Sequence, residues 1–306
     1  MRILVIGAGA VGGYFGGRLA AAGRDVTFLV RSARAEQLRR DGLRIVSEHG
    51  DLTMPVKTVR AGDIDGPYDV IVFGVKAFAL EAAMEDFAPA VGAGTMILPL
   101  LNGMRHMDAL VGRFGEAPVL GGMTRVSTDL DGEGRIVQLG PIQDVTYGER
   151  DGTITERVKV LDAAMRGAGF DARLSGEVMT AMWQKWVVLA SLAAITCMMR
   201  GSIGAVAAMP EGVATANGMV DECAAIAAAE GHATAEKALA NIRERLTEQG
   251  SALEASMFRD IKKGAPVEVE HIIGDLLRRG AAHDLATPLL RAAYAHLRVY
   301  ESLRQK

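Results

Sequence analysis

Hydrophobic positions divide the chain into two regimes. Up to about residue 170 they come as short continuous runs between polar stretches, the pattern of strands buried on both faces. The runs are 3–6, 25–30, 69–75 and 95–101, rich in Val, Ile, Leu and Phe. Residues 43–59 predict a hairpin, with LRIVSE and LTMPVKTV flanking a turn at His49-Gly50-Asp51. Shorter runs at 119–123, 136–139 and 144–147 predict further strands, including an antiparallel extension. From about residue 174 the spacing becomes helical, in segments rich in Ala, Met, Leu, Glu and Arg. Helices are expected over 177–195, 211–230, 233–248, 251–263, 266–279 and 288–303. The fold class is therefore α/β, a doubly wound parallel sheet over residues 1–174 and an all-α domain over residues 175–306.

Between the first strand and the first helix the sequence reads MRILVIGAGAVGGYFGG. Gly7, Gly9 and Gly12 form G-x-G-x-x-G directly behind the strand, and a helical stretch runs on to Gly23. In that context the glycines serve a tight turn, close backbone approach to a pyrophosphate and close helix–strand packing. The backbone of Gly7, Gly9, Ala10, Val11 and Gly12 is thus the expected dinucleotide cradle of a Rossmann-type domain, with the helix N-terminus facing phosphate. A secretory leader is not expected, because glycines at 7, 9, 12, 13, 16 and 17 interrupt the roughly 7–15 apolar residues such a segment needs.

Arg31 follows the second strand, where an NAD-binding fold carries an acidic ribose ligand. A guanidinium suits a 2′-phosphate instead, so the expectation is NADP(H), with Ser32 and Arg34 just behind. The competing reading is that Arg31 and Arg34 merely open a solvated helix. Lys76, at the carboxyl end of the 69–75 run, could reach cofactor phosphate or ribose, or point to solvent. Asn102, beyond the 95–101 run, could bond the nicotinamide ribose or substrate, or simply make a turn.

Composition narrows the function classes. The 306 residues are 49% hydrophobic with net charge −3, which suggests neither nucleic acid nor an anionic membrane as partner. The apolar run 186–199 is short for a span and contains Ser191 and Thr196. Cys197 and Cys223 sit in helical surroundings and read as buried free thiols, so a cytoplasmic protein is expected. No residues have zinc-site spacing, no metal is expected, and the six histidines are scattered. Lys185 lies between Trp183 and Trp186 in an apolar helix. There an ammonium would be partly desolvated and its pKa lowered from about 10.4, unless the lysine snorkels to water.

Six features in order, GAGAVGG at 7–13, Arg31, GVK at 74–76, LNGM at 101–104, Trp-x-Lys at 183–185 and SMFRD(x7)E from Ser256 to Glu268, make the chain resemble ketopantoate reductases (2-dehydropantoate 2-reductases). The resemblance implies an NADPH-dependent reduction of a 2-oxo acid to a 2-hydroxy acid. By motif, Lys185 would be the general acid and Glu268 would orient it and the substrate hydroxyl. Ser256 would hold the substrate carboxylate and Asn102 would line the nicotinamide side. From residues alone, Glu270 is as good a carboxylate as Glu268; the resemblance favours Glu268. The family usually has asparagines four and eight residues after the lysine and three before the serine, where this chain has Leu189, Ala193 and Leu253. A more apolar 2-oxo acid or ketone is therefore an alternative substrate, and a non-catalytic NADPH-binding sensor is the alternative from another class. A homodimer is left open.

Overall fold

The computed structural model describes residues 1–304; residues 305 and 306, the last of the expected helical half, lie outside the described residues. Two compact units are present, one of Met1–Leu101 with His106–Met179, the other of Asn102–Arg105 with Thr180–Lys306.

The first unit runs β1 (Arg2–Ile6), α1 (Ala10–Ala21), β2 (Asp25–Leu29), α2 (Ser32–Asp41), β3 (Leu43–Val46), β4 (Leu52–Met54), β5 (Lys57–Val59), β6 (Val70–Phe73), α3 (Leu80–Phe87) and β7 (Met96–Pro99). It continues through α4 (Arg105–Phe114), β8 (Gly121–Leu130), β9 (Ile136–Gly148), α5 (Glu156–Met165) and β10 (Asp171–Leu174). One sheet is wholly parallel in the order β5-β2-β1-β6-β7. Strand order reverses between β1 and β6, the crevice where open α/β sheets take ligands. Ile3, Val5, Phe15, Phe28, Val72 and Leu98 fill the core between this sheet and its helices, consistent with continuous apolar runs buried on both faces.

A second sheet, β10-β9-β3-β4 with β8 on β9, corrects two expectations. The hairpin over 43–59 pairs only through β3 and β4. Pro55 follows, and β5 leaves to pair in parallel with β2 on the other sheet. The separate strands expected after residue 119 are two long partners, β8 and β9, whose register shifts near Val126.

The second unit comprises α6 (Val178–Met199, of which Thr180 onward belongs here), α7 (Ile203–Ala207), α8 (Pro210–Ala229), α9 (Glu236–Leu246), α10 (Ser256–Lys262), α11 (Asp275–Ala282) and α12 (Pro288–Arg304). By length and composition α6 could cross a membrane, unlike the shorter run judged from sequence, but 61% of its most apolar window is buried. Burial of Trp186, Val187, Ala190, Ala194 and Ile195 marks it as a core helix. Cys197 and Cys223 are free and buried, and burial pushes both thiols up to about 12.

Two helices begin later than periodicity predicts, each because the backbone is engaged elsewhere. Residues 251–253 are not helical: the carbonyls of Ser251 and Leu253 accept from Gly204 and Ile203 (2.8 and 2.9 Å), satisfying amides that the start of α7 leaves without an intrahelical partner. The segment expected as a helix from 266 is irregular through Glu268. Pro266 disfavours a helical conformation before it, and the Val267 amide donates to Glu301 Oε1 at 2.8 Å. A π-helical turn, Glu270–Gly274, then leads into α11.

Candidate active site

In the first unit the glycine loop has the expected local geometry. Gly7 ends β1 with φ +81°, a conformation that a side chain resists. Its amide donates to Leu29 O at 2.9 Å, tying the turn to β2. A Cβ on Gly12 would lie 2.7 Å from the Gly7 carbonyl oxygen, so only glycine lets α1 start this close to β1. Gly9, immediately before α1, is different: a Cβ there would meet nothing within 4 Å. That position opens onto space in front of a helix whose N-terminus has no side-chain cap and no acidic residue in its first turn. Such an end presents unpaired amides and the positive end of the helix dipole, so the residues present fit a dinucleotide phosphate.

Arg31 is exposed at the N-cap position of α2, and Lys76 is exposed at the start of a 3₁₀ turn that follows β6. β1 is flanked by β2 and β6, so the glycine loop, Arg31 and Lys76 all come from the carboxyl ends of adjacent strands. Arg34, a member of a solvated helix face in the plainer sequence reading, is half-buried.

In the second unit, Lys185 is half-buried on α6, with Trp183 and Trp186 buried on either side. Trp186 Nε1 donates to Ile272 O at 3.0 Å, a buried bond that fastens this turn of α6 to the π-helical turn. The amides of His271 and Ile272 in turn donate to the Glu268 carbonyl (3.2 and 3.0 Å). Thus the residue beside Lys185 is two hydrogen bonds from the Glu268 backbone. Glu270, the other carboxylate left open by the sequence, is held by α12: Tyr294 donates to both its oxygens (2.8 and 3.0 Å) and Arg298 pairs with it.

Asn102 reaches the same turn through His271. A Cβ on Gly103 (φ +78°) would lie 2.9 Å from His271 O and 3.3 Å from its ring, and the imidazole is hydrogen-bonded to the Asn102 backbone. Burial lowers the His271 pKa, and Arg105 and Arg278 act the same way, while Glu268 and the Asn102 bond oppose them. His271 was only one of the scattered histidines in the sequence. Its spacing of three from Glu268 was the available signal.

Ser256 opens α10, half-buried, and its hydroxyl has no hydrogen-bond partner among the described residues. The preceding residue is anchored on α6, Ala255 N to Thr196 Oγ1 at 3.4 Å. Leu189 and Leu253 are half-buried and Ala193 is buried. No group of His, Cys, Asp and Glu among the described residues could hold a metal ion.

Two family models match in tandem: ketopantoate reductase PanE/ApbA over residues 3–152 and its C-terminal model over residues 177–301. The uncharacterized oxidoreductase YkpB of Bacillus subtilis (strain 168) is 36% identical over 303 residues, covering 99% of each chain. A 2-dehydropantoate 2-reductase of Mesorhizobium japonicum is 26% identical, covering 97% of each. Among solved structures, 2-dehydropantoate 2-reductase from Geobacter metallireducens GS-15 superposes with a TM-score of 0.88 at 31% identity, over 98% of this chain and 99% of that one. With both halves of the chain matched in order and the Rossmann-like sheet and helical unit in place, the chain belongs to the ketopantoate reductase family of oxidoreductases.

Proposed function

We propose that this protein is an NADPH-dependent reductase that converts a 2-oxo acid into a 2-hydroxy acid, of the 2-dehydropantoate 2-reductase type. The observation that carries the reading is the Trp186–Ile272 bond, which joins the turn bearing Lys185 to the turn entered at Glu268. When bound, NADPH supplies the hydride that reduces the carbonyl carbon. Gly7 would shape the turn, Gly9, Ala10, Val11 and Gly12 would hold its pyrophosphate by backbone amides, Arg31 its 2′-phosphate, and Lys76 its phosphate or ribose. Asn102 would line the nicotinamide side. Lys185 would donate its Nζ proton to the carbonyl oxygen as charge develops there, and Glu268 would orient Lys185 and the nascent hydroxyl. The Ser256 hydroxyl, without a protein partner among the described residues, would donate a hydrogen bond to the substrate carboxylate. The test is NADPH consumption, followed by its absorbance, with ketopantoate and a panel of other 2-oxo acids. A protein that bound NADPH but reduced none of them would be a sensor instead.

A second reading concerns substrate class. Leu189 and Ala193 stand four and eight residues beyond Lys185 on α6, and Leu253 stands three before Ser256. If they line the substrate position, an apolar wall cannot satisfy a buried substrate hydroxyl, an omission costing about 1–3 kcal/mol. It rewards aliphatic or aromatic groups by about 0.8 kcal/mol per buried CH₂. Branched-chain or aryl 2-oxo acids should then give higher kcat/KM than ketopantoate. The opposite order would return the assignment to ketopantoate.

A further inference from the structure

Arg34 extends from the first turn of α2 back to the glycine loop. Its Nε and Nη2 both donate to the carbonyl oxygen of Ala8 (3.2 and 2.9 Å), the buried residue between Gly7 and Gly9. Its Nη1 donates to Gly134 O at 3.0 Å and to Gln37 Oε1 at 2.6 Å. Gln37 Nε2 completes the arrangement on Glu133 O at 2.8 Å. The far anchor is itself fixed. In the turn between β8 and β9, Asp131 Oδ1 accepts from the amides of Glu133 and Arg135 (3.0 and 2.8 Å), and the Asp131 amide donates to Arg135 O.

Every hydrogen bond of Arg34 therefore ends on an uncharged oxygen. No carboxylate among the described residues pairs with this half-buried cation, and its charged neighbour is another guanidinium, Arg44. A buried charge without a counter-charge is costly in a closed structure. Here it stands behind the one loop whose amides open in front of Gly9. Donation to Ala8 O fixes the peptide plane between Ala8 and Gly9, and with it the direction of the Gly9 amide. The planar fork can serve two carbonyls at once; an ammonium is a point donor.

We propose that Arg34 is a positioning residue of the dinucleotide site: it clamps the Ala8 carbonyl to the β8–β9 turn, pre-orients the loop amides, and supplies positive potential beneath the bound pyrophosphate. This rests on the dinucleotide reading of the loop. It separates two arginines of one helix turn by role. Arg31 would discriminate NADPH from NADH, whereas Arg34 would serve the pyrophosphate that both share.

The experiment compares wild type, Arg34→Ala and Arg34→Lys. Hydrogen–deuterium exchange of the Gly7 amide, which is bonded to Leu29 O at the base of the loop, is measured without nucleotide, and NADPH and NADH dissociation constants are measured by calorimetry. In Arg34→Ala, loop exchange should accelerate by about tenfold or more, and both dissociation constants should rise by a similar factor of about tenfold or more. The NADPH/NADH ratio should stay at its wild-type value. Arg34→Lys should recover only part of either effect, and provides the same readouts if the alanine variant does not fold. Wild-type exchange and wild-type dissociation constants in a folded variant would overturn the clamp. Loss confined to NADPH would overturn it too, showing direct contact with the 2′-phosphate. Failure of wild type to bind either nucleotide would remove the dinucleotide reading itself, before any variant is considered.

Discussion

Lys185 and Arg31 are the two side chains on which the proposed chemistry and cofactor choice depend. If Lys185 protonates the carbonyl oxygen, Lys185→Ala should lower kcat by roughly 10²–10⁴ and leave NADPH affinity nearly unchanged. Near-wild-type turnover in that folded variant would remove it from the mechanism. Arg31 is exposed at the start of α2, so its substitution should leave the fold intact. Arg31→Asp should weaken NADPH by about 1.5–3 kcal/mol per lost charge-assisted bond, with much less effect on NADH. Equal calorimetric constants for the two nucleotides in wild type would disprove the assignment. Single residues differ in how far the sequence exposes them. Gly7 and Gly12 are legible because strand, turn and helix follow one another without a break. Arg34 is not, since its partners are a loop 26 residues earlier and a turn 100 residues later.

Elements are legible where local periodicity decides and misread where distant backbone takes over. The parallel strands β1, β2, β6 and β7 follow directly from continuous apolar runs. β5 does not, because its partner is chosen by β2 and not by the apparent hairpin. The delayed starts of α10 and of the helix after Glu268 follow from amides and carbonyls engaged by α7 and Glu301, which no local pattern reveals. The join between α6 and the π-helical turn is equally hidden, with its two partners 86 residues apart. It is also testable. Trp186→Phe retains an aromatic ring but removes the buried bond to Ile272 O, so unfolding free energy should fall by about 0.5–1.5 kcal/mol. Urea denaturation measures that loss. Because the bond braces the Lys185 turn, kcat should fall in the same variant, whereas NADPH affinity should not. A variant with unchanged stability and kcat would show that the brace is dispensable.

For the whole molecule, buried and half-buried titratable groups define a window of stability. His271 and His232 have lowered pKa values, chiefly through burial. Below the unfolded value near 6.5, the unfolded chain takes protons that the folded chain refuses, so stability falls as pH falls through that range. The thiols of Cys197 and Cys223 act at the other end, raised to about 12 by burial. Above an unfolded value near 8.5 the unfolded chain releases protons that the folded chain keeps, so stability falls as pH rises. Urea midpoints measured from pH 5.5 to 9.5 should therefore plateau at about pH 7–8. His271→Gln should flatten the acid limb. An acid limb unchanged in that variant would assign the fall to other groups.

The tryptophan pair has an optical consequence. Trp183 and Trp186 are the only two indoles in the sequence, their ring centroids lie 5.0 Å apart, and His232 stacks on Trp183 at 5.1 Å. All indole emission of the protein thus originates within one helical turn around Lys185. Both rings are buried, so that emission should be blue-shifted and resist quenching by iodide, and near-ultraviolet dichroism should carry the signature of two coupled chromophores. The spectrum is in effect a local gauge: any event that disturbs the Lys185 turn will register in it.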